Sequence, residues 1–250
     1  MTSWDALNRE LDLWVATGRP ATLWWRDDDA VRVTPELERV LALSAATETP
    51  VALAVIPRDA DAGLAHRLSQ ASSATVLQHG FAHANHAGAD DRQNEYGPER
   101  PLAVRIAELA EGWRRLLPFP RRLPVLVAPW NRLSADLPPA LAEAGLAGLS
   151  ALGARPQADP APGVRQVNVH VDIMNWQSRR FAGLTDALGQ LVGHLRARRE
   201  GRADAGEATG VMTHHAFHDE EAWTFIADLI GHVRSHGGAA WLPAGEVFWP

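Results

Sequence analysis

Short apolar runs alternate with amphipathic helical patterns from one end of this chain to the other, and that alternation restricts the fold more than any other feature. The run 51–56, Val-Ala-Leu-Ala-Val-Ile, has no polar face, as expected of a strand covered on both sides. Further strands are expected at 21–26, 75–78, 125–128, 166–173, 210–213 and 239–242, with a short one at 147–150. Helices are expected at 4–17, from Pro35 onward, and at 61–69, 98–117, 137–144, 185–199 and 221–235. The first helix carries Trp4, Leu7, Leu11 and Trp14 on one face, with Ser3 as its cap and Gly18 and Pro20 at its end. Strand and helix in strict alternation imply a parallel sheet with helical crossovers, the α/β class. Seven or eight such strands in 250 residues favour a distorted (β/α) barrel over a doubly wound sheet. Residues 1–250 read as a single domain, because the loops 153–163 and 200–207 are too short to join independent ones.

Composition narrows the partners. A chain 46% hydrophobic at this length can bury one large core. Its net charge of -6 and lack of a long basic run argue against nucleic acid, and no such partner is expected. No apolar run reaches membrane-spanning length, so no membrane partner is expected. There is no cysteine, so a metal would have to take histidine and carboxylate ligands. The start Met1-Thr2-Ser3-Trp4-Asp5 lacks the basic and apolar segments of a leader, and the expected location is the cytoplasm. Nothing in the sequence sets an oligomeric state. Ten tryptophans accompany a single tyrosine; most read as core, and the adjacent Trp24 and Trp25 must point to opposite faces of a strand.

Reactive residues collect at the carboxyl ends of the expected strands. Asp27, Asp28 and Asp29 follow the first, where clustered negative charge is costly unless a cation or an arginine such as Arg26 relieves it. His79 and His83 follow the third, Pro129, Trp130 and Asn131 the fourth. His170 and Asp172 close the sixth, and His214 and His215 the seventh. In a β/α barrel these ends meet on one face. Bland readings exist for each piece. The aspartates can cap the next segment or hold Arg26, and a His-x3-His spacing is usually a pair of solvated rings. Asp172 can pair with Arg179 or Arg180, Trp176 can be core, and His214-His215 can bond backbone carbonyls. Five coincidences far apart in sequence are harder to dismiss together.

The ordered set resembles the polysaccharide deacetylase family, the NodB-like carbohydrate esterases of family 4. That family's adjacent aspartates are matched by Asp28 and Asp29, and its His-x3-His element by His79 and His83. Its proline-rich strand end is matched loosely by Ala128-Pro129-Trp130-Asn131. Its aspartate–tryptophan motif is matched by Asp172 and Trp176, and its strand ending in histidine by Val211-Met212-Thr213-His214. The resemblance spans nearly the whole chain.

It implies a metal-dependent hydrolase that removes an acetyl group from an N-acetylated sugar or related amide, with a small-molecule or oligosaccharide substrate. It implies a divalent metal on Asp29, His79 and His83, zinc first, with cobalt, nickel and iron as other occupants. Asp28 would be the general base and His214 the general acid, with Asp172 orienting a histidine. Asp27 and Asp28 are the other register for the base and the metal ligand. Pro129, Trp130, Asn131, Trp176 and His215 would line the substrate. One departure matters. The family carries an arginine against the catalytic aspartate where Val127 stands here, and Arg26 and Arg132 are the candidates to replace it. A non-catalytic carbohydrate-binding barrel that keeps the metal site is the alternative.

Overall fold

The structure, a computed structural model, describes residues 3–250. Met1 and Thr2, and the Ser3 side chain expected to cap the first helix, lie outside the described residues. The elements run α1 (Ser3–Ala16), β1 (Ala21–Ala30), α2 (Pro35–Ala46), β2 (Val51–Val55), α3 (Ala62–Ser69), β3 (Ala74–His79), α4 (Leu102–Arg115), β4 (Arg122–Val127) and β5 (Gly148–Ser150). They continue β6 (Arg165–Gln166), β7 (Val171–Asp172), β8 (Met174–Asn175), β9 (Arg180–Phe181), α5 (Leu184–Arg199), β10 (Thr209–Thr213), α6 (Glu220–His236), β11 (Ala239–Trp241) and α7 (Ala244–Phe248). Short polar side chains start several helices: Thr34, Asp61 and Asp219 accept the backbone N–H groups of Leu37, Leu64 and Ala222. Pro101, just ahead of α4, starts that helix later than the 98–117 pattern suggests. Two prolines open Pro138–Ala144, which winds as a tighter 3₁₀ helix rather than an α-helix.

The main sheet has the order β6-β5-β4-β3-β2-β1-β10-β7, with β11 on β1, and all its pairings are parallel. Its nine named strands contain one segment twice. β6 and β7 are the two ends of a single extended run, which pairs first with β5 and then with β10. Val169, between them, bridges to Leu152. The sheet therefore curls until both edges meet on this run, giving eight parallel segments in a distorted barrel. The expected 166–173 strand is its closing staple.

The two tryptophans of β1 divide as the pleat requires. Trp24 points inward, among Ala52, Leu77, Val125, Val127 and Val169. Trp25 points outward, beneath the helices that bring Leu11, Leu37, Leu191 and Ile226. Inside, α7 plugs the amino end of the barrel: Phe248 meets the Trp24 ring edge-on at 5.8 Å between centroids. Neither α7 nor the β8–β9 hairpin has a clear signal in the sequence. Gly210 allows the seam to close. A Cβ there would lie 2.5 Å from Trp24 Nε1 and 2.7 Å from Val169 Cα. The Trp24 indole donates across this gap to the Asn168 carbonyl at 3.1 Å.

Between the seam and α5 lies a polar layer. The His170 and His194 rings stack with centroids 3.4 Å apart. Glu207, fully buried, accepts the N–H groups of Asn168 and Arg155 at 2.9 and 3.0 Å. Burial, with the charges of His170 and Arg198, pushes the pKa of His194 down to about 2 from its ordinary 6.5. Below pH 6.5 the unfolded chain takes up a proton here that the folded chain refuses, so stability falls as the pH drops from 6.5 towards 2. Urea denaturation of His194→Gln at about pH 6.5 and about pH 4.5 should show a smaller loss of stability on acidification than the parent protein.

Candidate metal centre and acid–base pair

Regular alternation along β1 would send Asp27 and Asp29 to one face and Asp28 to the other. The structure sends the three in three directions. The pairing of β1 with β2 shifts register between Asp27 and Ala30, and Asp29 has a φ of 70°. This bulge re-aims Asp29 over the barrel mouth, and short polar residues such as Asp tolerate the left-handed conformation best.

Asp29 meets His79, the last residue of β3, and His83, four residues on. Its Oδ1 lies 3.1 Å from His79 Nε2 and 3.5 Å from His83 Nε2. These three residues offer ligand atoms that all fall within 4.8 Å of one another. Ligands about 2.0 Å from a tetrahedral ion stand about 3.3 Å apart, so the spacing suits a small divalent cation. Asp29 Oδ1 is buried and has no hydrogen-bond partner among the described residues. His79 Nδ1 lies 3.1 Å from the Val127 carbonyl, which holds the ring hydrogen there and leaves Nε2 as a lone pair facing Asp29. The donor set and the orphaned oxygen both fit a metal. Burial raises the Asp29 pKa, but the adjoining His79, with His214 and His83, outweighs it and holds the carboxyl well below the usual range. Burial alone would lower His79, yet the adjoining carboxylates of Asp29 and Asp28 carry it upward. His83 is pushed down by burial and by His79.

Asp28 points into the barrel and is held by Arg26, which stands two residues earlier on the same face. Arg26 Nε lies 2.9 Å from Oδ1, and Nη2 donates to Oδ2 at 2.9 Å. The guanidinium is completely buried and also donates to Ser150 Oγ at 2.7 Å and Asn131 Oδ1 at 2.8 Å. Arg132, the other candidate for this task, turns away and donates to the Gln93 carbonyl. His214 Nε2 faces Asp28 Oδ2 at 3.9 Å.

The remaining expected site residues divide. Trp130 lies against the His83 ring with centroids 4.2 Å apart, on a turn where both Trp130 and Asn131 have positive φ. Pro129 packs at Gly80, and Asn131 gives its carbonyl oxygen to Arg26. Trp176, 44% exposed in the turn of the β8–β9 hairpin, stands edge-on to His214 at 4.6 Å. Asp172 does not bond a histidine. Its Oδ2 accepts the Trp176 indole N–H at 2.7 Å, so it reaches His214 through that ring. Burial raises the Asp172 pKa. His215 turns to the opposite side of the strand end from His214 and binds Asp27. His170 leaves the mouth for the polar layer under α5. There its Nδ1 accepts the Gly210 N–H at 3.0 Å, so the neutral ring carries its hydrogen on Nε2, towards Glu207. That nitrogen has no lone pair for an ion, which sets the His170–His194–Glu207 group apart from the Asp29 centre.

Glu95 carries no signal in the sequence because it sits in an unpatterned polar loop. Its buried carboxylate accepts the Ala82 N–H at 2.7 Å and the Phe81 N–H at 3.3 Å, clamping the stretch between His79 and His83. Gly80, with φ 55°, makes room for it: a Cβ there would lie 2.1 Å from Glu95 Oε2 and 2.5 Å from Pro129 Cγ.

No family model matches the chain, and no curated protein sequence matches it. Solved structures do. A putative polysaccharide deacetylase from Mycobacterium smegmatis superposes with a TM-score of 0.60 at 15% identity, over 92% of this chain and 89% of that one. A family 4 acetyl xylan esterase from Clostridium thermocellum, solved with a cobalt ion, gives 0.52 at 14%, over 91% and 90%. A CE4 family pseudoenzyme from Bacillus anthracis gives 0.52 at 11%, over 87% of this chain and 62% of that one. This chain has the fold of the polysaccharide deacetylases.

Gly80→Ala should lower stability by about 1–3 kcal/mol and weaken zinc binding at least about tenfold, because the clamp on the two histidines must move. Gly18→Ala is the control: it has the same backbone handedness with nothing within 4 Å, and should cost only about 1 kcal/mol with zinc affinity intact. Thermal denaturation and isothermal titration with zinc measure both.

Proposed function

We propose that this protein is a metal-dependent hydrolase that cleaves the acetamide of an N-acetylated sugar or related amide, within one domain spanning 1–250. The observation that carries the proposal is the joint arrangement at the barrel mouth. Asp29, His79 and His83 are spaced for one ion, while Asp28 and His214, which are outside that ligand set, face each other beside it.

Asp29, His79 and His83 would hold a divalent cation, zinc by preference, which when bound acidifies water and polarises a carbonyl. Asp28 is the base: Arg26 fixes both of its oxygens, and it takes a proton from the water that attacks the acetyl carbon. His214, on the other side, gives a proton to the departing nitrogen, since an amine anion is too basic to leave unaided. The C–N bond breaks, and the products are acetate and the free amine. Asn131 and Arg132 spend their N–H groups on Ala128 and Pro129, which leaves the Trp130 N–H as the candidate donor to the oxyanion. Trp130 and Trp176 stand by His83 and His214 respectively, where their faces can stack on a sugar ring.

The pseudoenzyme among the structural neighbours keeps a second reading in view, a barrel that binds carbohydrate without cleaving it. Acetate and amine release from N-acetylated chitin oligomers, with zinc- or cobalt-loaded protein, separates the two. Asp28→Asn should keep the metal and lose about 10²–10⁴-fold in kcat. Arg26→Met should also keep the metal and lose about 10²-fold, through misplacement of the base. Loaded protein that binds the oligomers but releases no acetate would establish the binding barrel instead.

A further inference from the structure

Of the three adjacent carboxylates, Asp27 is the one this chemistry leaves idle, and it is the most completely enclosed. It lies on the outer face of β1 with no exposed surface. Its Oδ2 accepts the Thr213 hydroxyl at 2.6 Å and the His215 N–H at 3.1 Å, and its Oδ1 lies 2.5 Å from His215 Nδ1. Thr213 Oγ1 in turn accepts the Trp25 indole N–H at 2.8 Å. The residues gripped are the two that flank His214 in the chain. Asp27 itself adjoins Asp28. A single carboxylate thus joins the stretch bearing the proposed base to the stretch bearing the proposed acid.

His214 has few other restraints. Its Nδ1 is buried with no hydrogen-bond partner among the described residues. Its backbone N–H finds His218 Nε2 only at 3.4 Å. Its backbone, with φ -139° and ψ 87°, has left β10 and caps the next turn, where its carbonyl accepts the Phe217 N–H at 2.9 Å and leaves the ring unheld. The Trp176 ring is a wall beside it and directs no hydrogen bond to it. The placing of this imidazole therefore comes from its chain neighbours.

We propose that Asp27, acting through Thr213 and His215, is a positioning residue that sets His214 against Asp28. The proposal rests on the reading of His214 as proton donor. It makes a selective prediction. Protonation of the leaving group matters for an amide and hardly at all for an aryl ester, whose phenolate departs unaided.

Zinc-loaded full-length Asp27→Ala should lose about 10²-fold in kcat on a chitin oligomer, and less than about tenfold on 4-nitrophenyl acetate, with KM and bound zinc retained. Asp27→Asn should recover most of the amide activity. Its carbonyl still accepts from Thr213 and from the His215 N–H, and its amide can donate to a neutral His215 Nδ1. Where Asp27→Ala does not fold, Thr213→Val carries the same selective loss at smaller size. Equal losses on the two substrates would overturn the proposal, because Asp27 would then be supporting the whole centre. So would the absence of any loss. A crystal structure of Asp27→Ala gives a reading independent of turnover: the His214–Asp28 separation should lengthen from 3.9 Å. An unmoved imidazole overturns the positioning role. If the parent protein cleaves neither substrate, the proposed reaction fails, and the imidazole's movement still decides the role of Asp27.

Discussion

Two like charges about 4 Å apart repel by about 4 kcal/mol at the effective dielectric of a partly buried site. Asp27, Asp28 and Asp29 are consecutive and at least largely buried, so the end of β1 can exist only if each finds its own compensation. Asp27 goes outward to Thr213 and His215, Asp28 inward to Arg26, and Asp29 upward to His79 and His83. A plain strand offers two directions. The third comes from the bulge between Asp27 and Ala30, at the cost of a left-handed aspartate, about 1 kcal/mol. That strain is small beside the repulsion it avoids. The separation also draws together β3 and its following loop, β10 and the turn beyond it, and the interior of the barrel. The local electrostatic problem and the assembly of the mouth have one solution.

Arg26 shows how far this solution departs from the pattern of the resembling family. A buried arginine–carboxylate pair is a poor source of stability, since desolvation of both ions costs several kcal/mol and offsets most of the attraction. What it supplies is direction: a planar fork that fixes both oxygens of Asp28 while Ser150 and Asn131 take other donors. Residues two apart on a strand share a face, so an arginine on β1 can hold Asp28 without a partner from β4. Val127 is then free to be an apolar member of the interior. A valine at position 127 is thus no sign that Asp28 is unsupported.

The architecture was legible because it depends on period. Continuous apolar runs, capped helices and the inward and outward split of Trp24 and Trp25 follow from side-chain spacing. The closing run Arg165–Asp172 was readable as a strand, but its double pairing was not, because sequence does not say where one neighbour ends and another begins. Residue types at strand ends also announced the polar mouth. Their partners were hidden, since partner choice depends on distances across the barrel. Asp172 lies by Trp176 rather than a histidine, and His170 belongs to the layer under α5. Glu95 had no local signal at all. Its importance comes from two N–H groups thirteen and fourteen residues away. The bulge that decides the register of the triplet involves no glycine or proline, the residues that usually mark one.

The fold alone does not settle whether the barrel is catalytic, because it is shared with an acetyl xylan esterase and with a pseudoenzyme. The distribution of charge favours the proposed catalysis. A barrel that only held an ion and a sugar would need Asp29, His79 and His83 and could fill the interior behind them with apolar side chains. Here the interior instead carries a salt bridge between Arg26 and Asp28, close to the candidate ion site and absent from its ligand set. Such a pair is expensive to bury and caps no element, and replacing it with well-packed apolar groups would often gain stability. Its presence is best explained by a task that needs a fixed carboxylate next to the candidate ion site and opposite an imidazole. Removing a proton from attacking water is such a task. Binding a sugar is not, and on that difference the hydrolytic reading is the stronger one.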